Sequence, residues 1–166
     1  MFLSIEGGTK KQRRYAQSMA LFAGYSLMRD RLAEKLHIDI ELTPRLYKED
    51  GNIGDVMWED SNHRPKHYTM RIDNSVTLRR MLETVAHEMT HVSQFASGRW
   101  VELYRTQQTK WEGKILKKIP KYWDRPWEIE AHGRETGLFL QWVEKEKLEN
   151  ESWTWDDLDK YKQHYE

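Results

Sequence analysis

The residues best suited to chemistry lie in one short stretch, Ala86-His87-Glu88-Met89-Thr90-His91, which contains the pattern HExxH. Successive helical residues are rotated by about 100°, so histidines four positions apart project within about 40° of each other. Imidazoles arranged in this way bind zinc, and a carboxylate beside them can take a proton from water bound to the metal. The motif predicts a catalytic zinc site with His87 and His91 as ligands and Glu88 as general base.

A helical pattern from about Ser75 to Ala96 carries this motif, and Asn74 or Ser75 is its predicted N-terminal cap. The two histidines lie on the side opposite to the apolar residues, which disfavours a purely structural role for them in the core. The remaining alternative is that they lie on a solvated helix face without binding metal. The apolar residues at helical spacing are Leu78, Met81, Leu82, Val85, Met89, Val92 and Ala96.

The composition limits what other parts of the chain can contribute. The chain has 166 residues, a length typical of one domain, and we expect a single metallopeptidase-like domain over 1–166. It has no cysteine, so any metal site must use histidine and carboxylate ligands. Lys+Arg and Asp+Glu balance at 27 each, which makes nucleic acid or an anionic membrane an unexpected partner. No stretch has the pattern of a signal peptide or a membrane span, so we expect a cytoplasmic location.

The first half of the chain predicts a helix, three strands and the motif helix. The first helix is expected from Thr9 to about Leu36. Alternating residues predict strands at 38–42, 54–58 and 67–72, and residues 49–52 predict a turn. The expected buried stripe of the first helix comprises Leu21, Tyr25, Met28, Leu32 and Leu36.

The second half predicts a hairpin followed by two helices, which makes the chain α+β. Hairpin strands are expected at residues 100–104 and 111–116, linked through polar residues 106–109. A helix is expected from near Asp124-Arg125-Pro126 to about Lys147, with the proline in its first turn. Residues 152–163 predict a short C-terminal helix.

The helix after Pro126 supplies the candidate third ligand, Glu128. Its expected interior side turns apolar towards the C-terminal end and comprises Glu128, His132, Glu135, Phe139, Trp142 and Val143. Glu130 is expected to point away from this side, and Ala131 is expected to let the two helices approach closely. The alternative for Glu128 is an ordinary first-turn carboxylate stabilised by the helix dipole.

His132, one turn after Glu128, is expected to orient a metal ligand through a hydrogen bond. The competing role for His132 is that of a direct zinc ligand.

HExxH followed by Glu-x-x-small-polar at the start of a later helix resembles the gluzincin zinc metallopeptidases. The stretch from Trp111-Glu112-Gly113-Lys114 through Tyr122 to Arg125-Pro126-Trp127-Glu128-Ile129-Glu130-Ala131 is also similar to small metallopeptidase-like proteins encoded by bacteriophages. The resemblance to the gluzincin core covers nearly the whole chain. It implies a minimal zincin core: N-terminal helix, small three- to four-stranded sheet, motif helix, hairpin, glutamate-bearing helix and short C-terminal helix. His132 departs from the pattern, because thermolysin-like members carry an acidic residue there.

The resemblance also implies an activity, namely zinc-dependent hydrolysis of peptide bonds in a peptide or protein substrate, in the host cytoplasm if the protein is phage-encoded. Glu128 would complete the zinc site, with zinc-bound water as the nucleophile and Glu88 as the base. Tyr122 and His67 are candidate donors to the oxyanion; the alternatives are a packing tyrosine and a solvent-facing histidine. The strand at 67–72 would be an edge strand that lines the cleft and pairs with the substrate.

Three other functions fit the same motif. A SprT-like DNA-associated protease shares HExxH, but that group usually takes a third histidine and often adds a cysteine-rich zinc ribbon or basic tail, whereas this chain has neither cysteine nor net positive charge. A catalytically silent zinc-binding scaffold would act by binding a host or partner protein. A helical interaction module would carry HExxH by accident. Activity of a Glu88→Gln variant and metal analysis of the purified protein distinguish these cases.

Overall fold

A mixed four-stranded sheet packed on long helices forms the body of the protein, which is α+β as predicted. The computed structural model describes residues 1–60 and 63–155. The strands of this sheet are β1 (Phe2–Gly7), β2 (His37–Thr43), β3 (Gly54–Trp58) and β4 (His67–Asp73), in the spatial order β1-β2-β4-β3. β1, β2 and β4 run parallel, and β3 is antiparallel to β4.

The remaining elements surround this sheet. The helices are α1 (Lys10–Leu27), α2 (Asp30–Ala33), α3 (Leu46–Asp50), α4 (Leu78–Ala96) and α5 (Pro126–Glu146). A second, antiparallel sheet contains β5 (Trp100–Leu103), β6 (Gln108–Trp111) and β7 (Lys114–Ile115). Two short 3₁₀ helices span Tyr122–Asp124 and Ser152–Thr154.

Alternation along the central strands places one face of the main sheet in the core. The three predicted strands at 38–42, 54–58 and 67–72 are confirmed, with ends that differ by at most one residue. The core side chains of β2 and β4 are Ile38, Ile40, Leu42, Tyr68, Met70 and Ile72, all at most 3% exposed. β1 was not predicted from the sequence, although its Leu3 and Ile5 pack against the core.

The prediction that the strand at 67–72 is an edge strand is wrong. β4 lies between β2 and β3, so within the described residues β3 is the outer strand on that side of the sheet. The apolar alternation of a strand reports which face is buried, and it is the same for an inner and an outer strand. Strand order therefore could not be read from this pattern.

α4 begins three residues later than predicted, because neither predicted cap, Asn74 or Ser75, caps it. The hydroxyl oxygen of Thr77 accepts a hydrogen bond from the backbone N–H of Arg80 and caps the helix. Ser75 instead accepts a hydrogen bond from the backbone N–H of Arg45 at 2.8 Å. Every residue from Met81 to Ala96 is buried, so the histidine-bearing side of α4 is covered rather than solvated.

The predicted helix from Thr9 to Leu36 ends early. Thr9 does cap α1, but Met28 is extended (φ −132°, ψ 154°) and the chain restarts as the short α2. The buried side of α1 is built from small residues and one methionine. Of the predicted stripe, Met28 and Leu36 are buried beyond the end of α1, whereas Tyr25 is 42% exposed. The buried residues of α1 are Ala16, Met19, Ala20, Ala23 and Gly24. A small-residue face permits close approach of α4, since a Cβ at Gly24 would lie 3.1 Å from Cε of Met89.

The second half follows the predicted order with a different strand register. Trp100 pairs with Trp111, so the partner of β5 is residues 108–111 and not 111–116. The predicted turn at 49–52 contains the last two residues of α3 and Gly51, whose φ of 78° ends the helix. The glutamate-bearing helix is confirmed as α5. Of the predicted helix at 152–163, the 3₁₀ turn Ser152–Thr154 is seen, and the part beyond residue 155 lies outside the described residues.

None of the helices formed by residues 1–60 and 63–155 is long and apolar enough to cross a bilayer.

A glycine on the exposed side of α5 gives a test of the helical conformation at that position. We expect Gly137→Ala to raise the free energy of unfolding by about 0.5–1 kcal/mol, because alanine favours the helix and a Cβ there would meet no atom within 4 Å among the described residues. Gly51→Ala is the matched control: the space is equally open, but φ is +78°, so this variant should be destabilised. Urea unfolding measures both; equal changes in the two variants would contradict the assigned conformations.

Candidate metal centre

Two helices bring the three predicted ligands together. His87 and His91 lie on α4, and Glu128 lies in the first turn of α5. Nε2 of His87 is 3.1 Å from Nε2 of His91, and Oε2 of Glu128 is 3.4 Å and 3.5 Å from these two nitrogens. Ligands about 2.0 Å from a tetrahedral zinc ion lie about 3.3 Å from one another. The three atoms therefore have the spacing of one face of a tetrahedral zinc site.

Hydrogen bonds behind the two imidazoles fix which nitrogen faces this triangle. Nδ1 of His87 lies 2.8 Å from Oε2 of Glu135, and Nδ1 of His91 lies 2.8 Å from Oε1 of Gln94. The amide of Gln94 is oriented because its Nε2 donates to the backbone oxygen of Trp127 and to Oε2 of Glu130. Both Nδ1 atoms thus face acceptors and carry hydrogen. In the neutral imidazoles, both Nε2 atoms therefore present lone pairs to the triangle.

The third atom of the triangle is a buried carboxylate oxygen. Glu128 is 7% exposed, and in the described part of the chain its Oε2 has no hydrogen-bond partner. Three electron-pair donors therefore converge on one point, which is unfavourable unless a proton or a cation lies between them. Two imidazole nitrogens and one carboxylate oxygen form a donor set that catalytic zinc uses. These residues consequently fit a zinc ion.

The close approach of these donors shifts the pKa values of His87 and Glu128 when no metal is bound. Burial acts to lower the pKa of His87, but contacts with the Glu128 and Glu135 carboxylates outweigh it and raise that pKa to about 9. Burial opposes ionisation of Glu128, but the adjoining His87 and His91 imidazoles hold its pKa well below the usual range. In the absence of metal, a proton on the imidazoles thus compensates the carboxylate.

Glu88 lies beside the triangle and against the outer strand. It is 5% exposed, and burial raises its pKa in spite of the neighbouring His91 and His87. The backbone of Gly54 passes so close that a Cβ there would lie 2.5 Å from Cγ2 of Thr84 and 3.2 Å from Oε1 of Glu88. A carboxylate with a raised pKa is a better proton acceptor near neutral pH, and this one faces the start of β3.

His132 packs against the ring of His87 on the cleft side and makes no hydrogen bond to it. Nδ1 of His132 is 3.3 Å from Oε2 of Glu135, and its ring centroid is 4.5 Å from that of His87. The orienting hydrogen bond expected from His132 is thus made by Glu135. His132 nevertheless has a ligand atom within 4.8 Å of ligand atoms of His87 and Glu128, so the set His87, Glu128 and His132 could also hold a metal.

Tyr122 reaches the same site from the 3₁₀ helix that precedes α5. Its hydroxyl oxygen is 3.2 Å from Nε2 of His132, and its side chain lines the space in front of His87 and Glu88. Burial raises the pKa of Tyr122 above its ordinary value, with the Glu128 carboxylate acting in the same direction. The phenol is therefore protonated and available as a hydrogen-bond donor.

The other oxyanion candidate, His67, lies elsewhere. Its Nε2 is 2.8 Å from Oδ2 of Asp39, and its ring stacks on that of His37 on the face of the sheet opposite to the core. Side chains alternate along β4, so the burial of Tyr68 against the helices turns His67 to the other face. His67 therefore does not reach the metal centre.

Several supporting residues were missed by the sequence analysis. Glu130 was expected to point away, but its carboxylate accepts hydrogen bonds from Arg99, Gln94 and Arg134. Gln94 follows His91 by three positions, so the helical spacing was the signal that could have identified it. Glu135 was placed on the correct side of α5 without a role. Ala131 is fully buried, consistent with the expected close approach of the helices.

Two pockets meet at the metal centre and form one cleft. The first, which we call the Arg80 pocket, has a volume of about 430 Å³ and includes Arg80, Trp123 and His132. The second, the Trp100 pocket, has a volume of about 420 Å³ and includes Trp58, Phe95, Trp100 and Glu128. Both are lined by Asn52, Gly54, His87, Glu88 and Tyr122. All three triangle residues line the Trp100 pocket, which runs along β3, and His87 also faces the Arg80 pocket.

Comparison of the chain with protein-family models, with curated proteins and with solved structures found no significant match.

The charge state of His87 predicts how stability depends on pH. Its raised pKa contributes stability that is fully present below the ordinary value of 6.5 and is lost as the pH rises through about 9. The free energy of unfolding of chelator-treated protein should therefore fall over this interval. Zinc binds deprotonated imidazole, so the rise in Tm caused by equimolar zinc should grow over the same interval. Thermal unfolding with and without zinc measures both; a zinc effect that shrinks as the pH rises would contradict the site.

The hydrogen bond behind His87 gives a second prediction. Glu135→Ala should weaken zinc binding by about 10–100-fold, because the imidazole loses the acceptor that fixes its orientation. Competition against a chelating dye measures the affinity. Glu144→Ala is the control, since Glu144 lies on the exposed side of the same helix. Equal zinc affinities for the two variants would exclude this role for Glu135.

Proposed function

We propose that the protein is a zinc-dependent peptidase of the gluzincin type. The observation that carries this proposal is the 3.1–3.5 Å triangle formed by His87, His91 and Glu128, with the Glu88 carboxylate beside it in an open cleft. A zinc ion held by these three residues would supply a Lewis acid that activates water and polarises a carbonyl group. We assign proton transfer, stabilisation of the oxyanion and binding of the substrate backbone to residues of this chain.

Glu88 is the proposed general base. Its carboxylate accepts a proton from the attacking water and then delivers it to the departing amine, which needs a group whose pKa is raised towards neutrality. Burial of Glu88 also prevents its charge from being screened by bulk water. The neighbouring β3 backbone keeps this carboxylate in place.

Tyr122 is the proposed oxyanion donor. Its protonated phenol lines both pockets of the cleft, and it can donate to the carbonyl oxygen of the substrate as negative charge develops there. The hydrogen bond to His132 limits the positions that the phenol adopts before substrate binds. His132 and Glu135 therefore act on the reaction by positioning Tyr122 and His87.

The outer strand β3 is the proposed binding site for the substrate backbone. In the described structure β3 pairs with β4 on one side, and its other side runs along the Trp100 pocket. An extended peptide can pair with a free strand edge through main-chain hydrogen bonds, which are independent of sequence. This is the role that the sequence analysis gave to the strand at 67–72.

The Trp100 pocket offers an aromatic wall to a large side chain of the substrate. Phe95 stacks on Trp100 with ring centroids 4.2 Å apart, and Trp58 packs on Phe95 at 4.5 Å. An aromatic wall of this kind can bury an apolar group, and the same pocket is also lined by the charged side chains of Asp55, Glu102 and Arg125. We therefore expect cleavage next to large side chains whose apolar part packs on this wall.

Glu88→Gln tests the proposal. The variant should bind zinc with wild-type stoichiometry, while hydrolysis of a random-sequence peptide library should fall by about 10²–10⁴-fold, because the amide cannot accept the proton. Glu128→Gln is the matched variant, which should lose both zinc affinity and hydrolysis. Mass spectrometry of the library reads cleavage, and elemental analysis reads zinc.

Three outcomes would overturn it. Undiminished cleavage by Glu88→Gln would remove Glu88 as the base. Zinc-loaded wild-type protein that cleaves no peptide in the library would favour the catalytically silent scaffold. Purified protein that binds no zinc would leave HExxH as an accident of sequence.

A further inference from the structure

A second group of metal-ligating side chains lies on the open face of the main sheet. His37 and Asp39 occupy alternate positions of β2, and His67 occupies the first position of β4. The neighbouring Ile38 and Tyr68 are fully buried on the other face, so this group is separated from α4 by the sheet. None of the three residues lines the Arg80 or Trp100 pocket.

The parallel register of β2 and β4 makes this group compact. His37 pairs with His67, so their side chains leave the sheet next to each other, and their rings stack at 4.5 Å with an interplanar angle of 22°. Phe2 of β1 packs edge-on against His37 at 4.6 Å and restricts that ring from the other side. The two imidazoles are thus held in place by contacts that do not involve their nitrogens.

Both imidazoles turn the same nitrogen towards one carboxylate. Nε2 of His37 is 3.2 Å from Oδ1 of Asp39, and Nε2 of His67 is 2.8 Å from Oδ2. One ligand atom from each of the three residues lies within 4.8 Å of the others. The ligands of a tetrahedral zinc ion are about 3.3 Å apart, so a small rotation of the carboxylate would allow all three residues to reach one ion.

The types of donor atom restrict which metal ions this group can bind. Two imidazoles and one carboxylate suit zinc, copper(II) or nickel(II), whereas calcium and magnesium prefer a full set of oxygen ligands. With neutral histidines the group carries the single negative charge of Asp39, which favours a cation. The side chains are 45%, 35% and 40% exposed, for His37, Asp39 and His67 respectively, so water can complete the coordination.

We propose that His37, Asp39 and His67 form a second binding site, for a divalent transition-metal ion, on the open face of the sheet. This site is independent of the proposed peptidase activity. The ion would join β2 to β4 near the start of both strands, where it would stabilise the parallel pair.

Zinc titration of the full-length protein tests the site. The wild type should bind two equivalents of zinc, one at each group, as read by calorimetry after removal of metal by a chelator. His67→Asn should abolish the second equivalent or weaken it at least about tenfold, since even loss of an outer hydrogen bond costs about 10–100-fold at metal sites. His37→Asn should do the same. In both variants the equivalent held by His87, His91 and Glu128 should remain.

Two control variants show whether the second equivalent of zinc binds at these three residues. Glu41→Gln alters the next residue on the same face of β2 and should leave both equivalents unchanged. His91→Ala should remove the other equivalent and leave the one at His37, Asp39 and His67, which distinguishes failure of this proposal from failure of the proposed peptidase. A second equivalent that survives His67→Asn, or a wild type that binds one equivalent sensitive only to His91→Ala, would overturn the second site.

Discussion

The structure depends on the packing of α4 against α5, because this contact brings a buried carboxylate next to two buried imidazoles. Neither partner is acceptable in the core alone: an ionised Glu128 without a counter-charge, or His87 and His91 with facing lone pairs, would each destabilise the fold. Together they form one site for a proton or a metal ion. The helix contact is therefore also the point at which we expect pH, and the proposed metal ion, to act on stability.

Residues on two sides of α4 stabilise this contact. Glu135 and Gln94 hold the two imidazoles from behind, and Gln94 is itself oriented by Glu130. On the opposite side of α4, the small residues of α1 allow close packing without entering the site. The result is a helix that is buried on all sides from Met81 to Ala96, although its histidines reach an open cleft.

Much of this arrangement could be predicted, because it is encoded over short distances. Helical spacing placed His87, Glu88 and His91 on one side of α4, and the apolar end of α5 correctly identified Glu128 as facing inward. Predictions failed where a distant residue decided the outcome. Ser75 does not cap α4 because it binds the backbone of Arg45, and Glu135 takes the role expected of His132 because it meets His87 across the helix contact.

The residue pattern was sufficient to identify the HExxH spacing, the glutamate-bearing helix after Pro126, the faces of the central strands and a donor set restricted to histidine and carboxylate. The folded structure was needed to show that β3 is the outer strand beside the cleft, and that His67 joins His37 and Asp39 on the far face of the sheet. The physical reason is that periodicity records which side of an element is buried. Strand order and helix pairing depend instead on which buried surfaces fit each other, and the residues that meet there are far apart in the chain.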